Sequence, residues 1–170
     1  MYILPEELNS KFTKNHSNGF TLVEALVTLV VLSIALGPSL ILTNNISSTA
    51  SVVRNNLIAA NLAQEGVEVI RGMRDTNWFN GIAFDTGLTD GTYRVEWNSS
   101  ALISLGANPP IKEGSGLYNY SSGNDTVFRR TISILKVNAG ELRIISNVTW
   151  QERGARDRNA LVESHLFNWR

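Results

Sequence analysis

The sequence predicts an α+β fold, a long N-terminal α-helix packed against a small antiparallel β-sheet head. Three observations point to it. An unbroken apolar run over Phe20–Leu42 passes into an amphipathic helical stripe. Beyond residue 90 the hydrophobic period drops from between three and four to two. Between the two patterns lie the turn dipeptides Asn80-Gly81, Thr86-Gly87 and Asp90-Gly91.

Composition narrows what such a chain can do. Its 170 residues carry 15 basic and 15 acidic side chains, a formal net charge of zero, which gives no footprint for a polyanion. There is no cysteine, so disulfides, thiolate metal sites and a cysteine nucleophile are excluded. The hydrophobic fraction of 43% is concentrated in the first quarter of the chain.

Met1–Gly19 is polar and carries Lys11 and Lys14. The apolar run that follows has Glu24 as its sole charge, and as a helix it would extend ~34 Å, enough to cross a bilayer core. It is longer than the roughly 7–15 apolar residues of a cleaved secretory signal. The first cation after it is Arg54, so the bias of basic residues keeps the N-terminus cytoplasmic and exports the remainder.

The helical pattern continues past Leu42. Ile46, Ala50, Val53, Leu57, Ala60, Ala63, Val67 and Ile70 trace one stripe, which predicts a single helix from Phe20 to Arg74, ~80 Å long. Gly37-Pro38 interrupts it. Pro38 has no N–H for the Ile34 carbonyl and glycine is a weak helix former, so a kink or loosened turn is expected there.

In the head, "TYRVEW" sets Tyr93, Val95 and Trp97 against Arg94 and Glu96, as a half-buried strand does. Asn98–Asp125 is rich in Gly, Ser, Asn and Pro and reads as mostly irregular. "TVFRRTISILKV" puts Phe128, Ile132 and Ile134 on one face, and Ala139-Gly140 makes a short turn. "ELRIISNVTWQ" does the same with Leu142, Ile144, Val148 and Trp150. "ERGARDRN" is a polar turn before the last strand, "ALVESHLFNW". The result is an antiparallel meander whose apolar face needs the helical stripe Val53–Ile70 as its cover.

Catalytic constellations do not emerge. His16 and His165 come without a nucleophile or a ligand set. Asp85 and Asp90 are close in sequence but lack the alternating oxygens and terminal Glu of an EF-hand loop, so no metal is expected. No phosphate-cradling glycine loop is present, and no cofactor is implied. Alternation points several of Trp78, Trp97, Trp150 and Trp169 into a core.

The segment "GFTLVE", residues 19–24, carries a more specific message. It resembles the N-terminal cleavage and methylation motif of type IV prepilins and pseudopilins, in which a polar leader ends in glycine, phenylalanine follows, and glutamate stands fifth in the mature chain. The resemblance implies a type IV pilin-like organisation: 1–19 leader peptide, 20–76 N-terminal helix (20–42 transmembrane and assembly, 43–76 amphipathic) and 77–170 globular sheet head. It implies cleavage between Gly19 and Phe20 by a prepilin peptidase, N-methylation of Phe20, and an assembly role for Glu24 toward the Phe20 amine of a neighbouring subunit. Gly37 and Pro38 would mark the helix kink. "NLAQEGVEVIRGMRDTNW" and "VTWQERG" look like stretches of minor, low-abundance prepilin-like proteins.

The function implied is a minor type IV pilin or pseudopilin, a non-enzymatic subunit held in the cytoplasmic membrane with its head exported, then built into a surface or periplasmic filament. Its partners would be the peptidase, other pilin or pseudopilin subunits, assembly platform proteins and cytoplasmic membrane lipids; nucleic acid is a further partner that nothing in the sequence indicates. Type IV pili, type II secretion pseudopili and competence filaments share this helix. The competing reading is a membrane-tethered extracellular binding module, an adhesin or DNA-capturing receptor, that never polymerises.

Overall fold

The computed structural model describes residues 19–152 and 154–169, without the side chains of residues 44 and 45. The leader expected over 1–19 therefore lies, apart from Gly19, outside the described residues. The chain divides into two units, one ending at Ile46 and the other beginning at Ser47.

One long helix, α1 (Leu22–Phe79), opens the fold and is 58 residues in length. It starts two residues later than periodicity suggests and ends five residues beyond Arg74. Its end has a physical cause. The Gly81 N–H donates to the Trp78 carbonyl at 3.1 Å and the Ile82 N–H to the Asn77 carbonyl at 3.0 Å, with Gly81 at φ 70°. These are the two bonds of a Schellman cap, which needs a left-handed residue just past the helix.

Eight strands follow: β1 (Gly91–Arg94), β2 (Ile103–Ser104), β3 (Lys112–Gly114), β4 (Leu117–Asn119), β5 (Asn124–Asp125), β6 (Arg129–Asn138), β7 (Glu141–Glu152) and β8 (Arg156–Phe167). They form an antiparallel five-stranded sheet, β2-β1-β6-β7-β8, and a three-stranded sheet, β4-β3-β5. A long helix followed by antiparallel sheets is the α+β layout the sequence predicts.

Several local expectations are corrected. Residues 98–125 are mostly turns and irregular chain, as expected, but they also hold β2 and the whole small sheet, built on a hairpin in which Gly114 pairs with Leu117. Ser115 and Gly116, at φ 53° and 78°, supply the two positive angles of a type I′ turn. The "TYRVEW" strand stops at Arg94; Val95 is fully buried but Trp97 is 52% exposed. The last hairpin is tighter than "ERGARDRN" suggests, since Glu152 already pairs with Arg156.

Within the unit that begins at Ser47, the core has two clusters. One joins Val67 and Ile70 to Phe84, Leu88, Val95, Ile132, Ile134, Leu142, Ile144 and Leu166. The other joins Ala59, Leu62 and Ala63 to Ile111, Phe128, Val148 and Trp150. The inward faces read from β6 and β7 are thus occupied as expected. The helical stripe is occupied in part: Ala63, Val67 and Ile70 are buried as expected, whereas Val53, Leu57 and Ala60 are exposed and Ala59, Leu62 and Gly66 complete the buried line.

Candidate functional site

The segment that carries the sequence signal sits at the start of α1. Thr21 caps the helix: its Oγ1 accepts the Glu24 N–H at 3.2 Å and its carbonyl accepts the Ala25 N–H at 3.0 Å. Thr-Leu-Val-Glu has the spacing of a capping box, with Glu24 at the third helical position. That role of Thr21 was legible as T-x-x-E and was missed. Its consequence is geometric. The helix begins two residues after the Gly19-Phe20 bond, so the bond lies in non-helical chain while Glu24 is held in the first turn. A carboxylate there is favoured by the positive end of the helix dipole.

Phe20 is 69% exposed, and from Leu22 to Leu42 the large apolar side chains all face outward. By length and composition this stretch can cross a membrane. Its few hydroxyls are satisfied internally. Thr28, Ser33, Ser39 and Thr43 each donate to the carbonyl four residues back, on Glu24, Leu29, Ala35 and Ser39, at 2.7–2.9 Å. Such back-bonding removes the cost of an unpaired donor in hydrocarbon. Gly37 and Pro38 lie inside the continuous helix, with Ser39 bonded immediately after them.

The head offers less chemistry. Asp85 pairs with the Lys136 ammonium, and Asp90 accepts the Lys136 N–H at 2.5 Å, so both loop carboxylates hold one strand position. Among the described residues no group of three or more His, Asp or Glu is placed to hold a metal. An open cleft of about 590 Å³ is lined by Glu65, Glu68, Met73, Asn77 and Trp97. Three of its polar side chains are already engaged: Glu65 with Arg130, Glu68 with Arg71, and Asn77 with the carbonyls of Phe84 and Thr86.

His165 lies on the outer face of β8, where its Nδ1 is 2.6 Å from Glu141 Oε1 and its Nε2 3.3 Å from Glu163 Oε1. The hydrogen bond to Glu141, then that to Glu163, raises its pKa above the ordinary imidazole value. A raised folded-state pKa contributes stability below the unfolded value and loses it as pH rises through the folded one. An NMR titration of the His165 ring should therefore show a midpoint above that of a free histidine, and Glu141→Gln should move it down. An unchanged midpoint in that variant would show that Glu141 is not the cause.

Comparison with curated proteins and with solved structures finds no match. A family model does match: the prokaryotic N-terminal methylation motif, over residues 14–40. The match spans the Gly19-Phe20 bond, the Thr21 cap, Glu24 and the Gly37-Pro38 pair. This chain carries the prepilin-type cleavage and methylation signature, which supports a type IV pilin-like or pseudopilin-like protein and points to a structural subunit anchored by its N-terminal helix.

Proposed function

We propose that this chain is a minor type IV pilin or pseudopilin, cut by a prepilin peptidase between Gly19 and Phe20, methylated on Phe20 and assembled through its N-terminal helix. The observation that carries this reading is the methylation-motif match at 14–40, which coincides with an outward-facing apolar helix. The cut explains the acid. Before it, Phe20 N is an amide; afterwards it is an amine with a pKa near ~8, cationic in neutral water. A lone charge at the centre of a membrane helix costs about 2.5–3.5 kcal/mol, and less near the headgroups. Pairing Glu24 with the Phe20 amine of a neighbouring subunit neutralises both and sets the axial register. The exported head would then face the outside of the filament, and the platform and lipids would hold the helix before assembly.

Intact-mass measurement of the membrane-extracted chain and N-terminal analysis of sheared filaments test this. The expected chain begins with N-methyl-Phe20 and is present in the sheared fraction. Gly19→Ala should retain the leader mass. Normal processing of that variant would sink the cleavage assignment. Glu24→Gln should be cut normally and lose roughly tenfold in filament incorporation, the equivalent of one charge-assisted contact. Unchanged incorporation would overturn the pairing. A chain cut but never found in filaments would support a tethered binding module instead.

A further inference from the structure

We propose that the cleft beside Trp97 binds a neutral saccharide, one pyranose ring of which lies flat on the indole. The inference is independent of whether the chain polymerises. Alternation in "TYRVEW" predicts Trp97 on the buried face of a strand, yet it is 52% exposed. The chain leaves β1 at Arg94 and makes a turn that carries Trp97 outward. That turn is closed twice: the Ser99 N–H donates to the Glu96 carbonyl at 3.0 Å, and Ser99 Oγ accepts the Glu96 N–H at 2.8 Å. Val95, just before it, is fully buried, and its carbonyl accepts a bond from Arg130. A large aromatic ring is thus held in solvent on a fixed backbone, which lowers the ordering cost of a ligand that stacks on it.

The cleft is open, about 450 Å³ in volume, and Glu96, Trp97, Leu117 and Asn119 stand in its wall. Asn119 is 9% exposed, and its amide is fixed in orientation. Its Oδ1 accepts the Ser121 N–H at 2.9 Å, the Ser122 N–H at 2.7 Å and the Ser121 hydroxyl at 3.3 Å. The Nδ2 of the same amide has no partner among the described residues, which leaves its N–H groups unused in a side chain otherwise buried. The half-buried Glu96 carboxylate likewise makes no hydrogen bond or ion pair among the described residues. An anchored donor and a free acceptor therefore flank an exposed ring.

The lining selects the ligand by its chemistry. It contains no lysine, arginine or histidine, so a phosphate, sulfate or carboxylate would find no counter-charge and would meet Glu96. Quaternary ammonium groups are held by cages of several aromatic rings, and Trp97 is the one aromatic residue in this wall. A wholly apolar ligand would cover the Asn119 amide and the Glu96 carboxylate without replacing their water. A pyranose ring meets all three conditions. Its C–H face is apolar and slightly positive, so it lies on the negative face of the indole, while its hydroxyls both donate and accept. One hydroxyl that accepts from Asn119 Nδ2 and another that donates to Glu96 fix its orientation.

The test uses the full chain, isotope-labelled for NMR, in micelles of a detergent without a sugar headgroup. The probes are a neutral trisaccharide of glucose, one of N-acetylglucosamine, and tetramethylammonium chloride. At millimolar concentration at least one trisaccharide should saturably shift the Trp97 indole N–H and the Asn119 side-chain amide. Trp97→Ala should weaken that binding by roughly tenfold or more, and Trp97→Phe, which keeps a ring face, by no more than about threefold. Asn119→Asp retains an oxygen for the three accepted bonds and removes the free N–H groups, so it should lose roughly tenfold. If Asn119→Asp disturbs the fold, seen as loss of the near-ultraviolet signal of buried Trp150, Trp97→Ala at its exposed position decides. No saturable shift with either trisaccharide, or shifts that survive Trp97→Ala, overturn the proposal. Saturation by tetramethylammonium that is lost in Glu96→Gln, with no response to the trisaccharides, makes this a cation site and overturns it too. So does a shift of the Trp97 resonance with protein concentration alone, which makes a second copy the cover.

Discussion

Arg130→Ala is expected to destabilise the head by about 3–5 kcal/mol, the range seen when one partner of a buried charged network is removed. Arg130 is 2% exposed, in the middle of the sheet face that α1 covers. Its Nη1 donates to the Leu62 carbonyl at 2.8 Å and to Glu65 Oε1 at 2.9 Å, and its Nη2 donates to the Val95 carbonyl. One planar fork thus ties the helix to the sheet and to the segment after β1. Alanine leaves the Val95 carbonyl without its donor in the interior, removes the second donor of the Leu62 carbonyl, opens a cavity, and leaves Glu65 without its cation.

Two comparison variants separate these causes. Glu65 is 31% exposed, so water can take over part of its solvation. Glu65→Gln, which keeps an acceptor for Arg130, should cost no more than about 1 kcal/mol. Arg130→Lys keeps the charge but cannot reach three acceptors with one ammonium, and should fall between the two. Denaturant unfolding followed by Trp150 fluorescence measures all three. If Arg130→Ala costs less than Glu65→Gln, the fork is not what joins helix to sheet.

How much of this was legible depends on period and length. The faces of β6 and β7 follow from alternation over 10 and 12 residues, long enough for period two to be unambiguous. The same parity places Arg130 between Phe128 and Ile132, and Ser146 between Ile144 and Val148. Both are polar, and both are buried. Their positions were therefore readable, and only the partners on α1 were not. The small sheet was illegible for the opposite reason: strands of two or three residues are too short to show a period, and partners across the sheet place them. The Ser115-Gly116 pair was its single local signal.

The N-terminal segment behaves differently again. Its meaning rests on a few residue identities, Gly19, Phe20 and Glu24, which lie within the matched methylation motif and take no part in the core clusters of the head. The structure adds Thr21, which fixes where helix begins relative to the bond. It also shows that the apolar residues from Leu22 to Leu42 face outward, a pattern that a helix buried on one side would not give.

Gly66→Val should cost the head about 3 kcal/mol, because a side chain at Gly66 would run into the buried face of the sheet. A Cβ at this position would lie 2.5 Å from Ile132 Cδ1, 2.6 Å from Ser146 Oγ and 3.3 Å from Arg130 Cδ. Ile132 and Ser146 are fully buried, so neither can swing into solvent. Alanine is the more informative change. It gains about 1 kcal/mol of helix propensity and meets an overpacking cost of about 1–3 kcal/mol, so its net effect should be small and destabilising. The Ser146 Oγ has no hydrogen-bond partner among the described residues, so Ser146→Ala removes an obstacle without breaking a bond. Combining it with Gly66→Ala should recover part of the loss, a coupling of about 1 kcal/mol between residues in contact. Additive effects in that double-mutant cycle would mean that helix and sheet separate to admit the methyl group. In that case Arg130, whose fork spans the same gap, should lose part of its effect in the Gly66→Ala background.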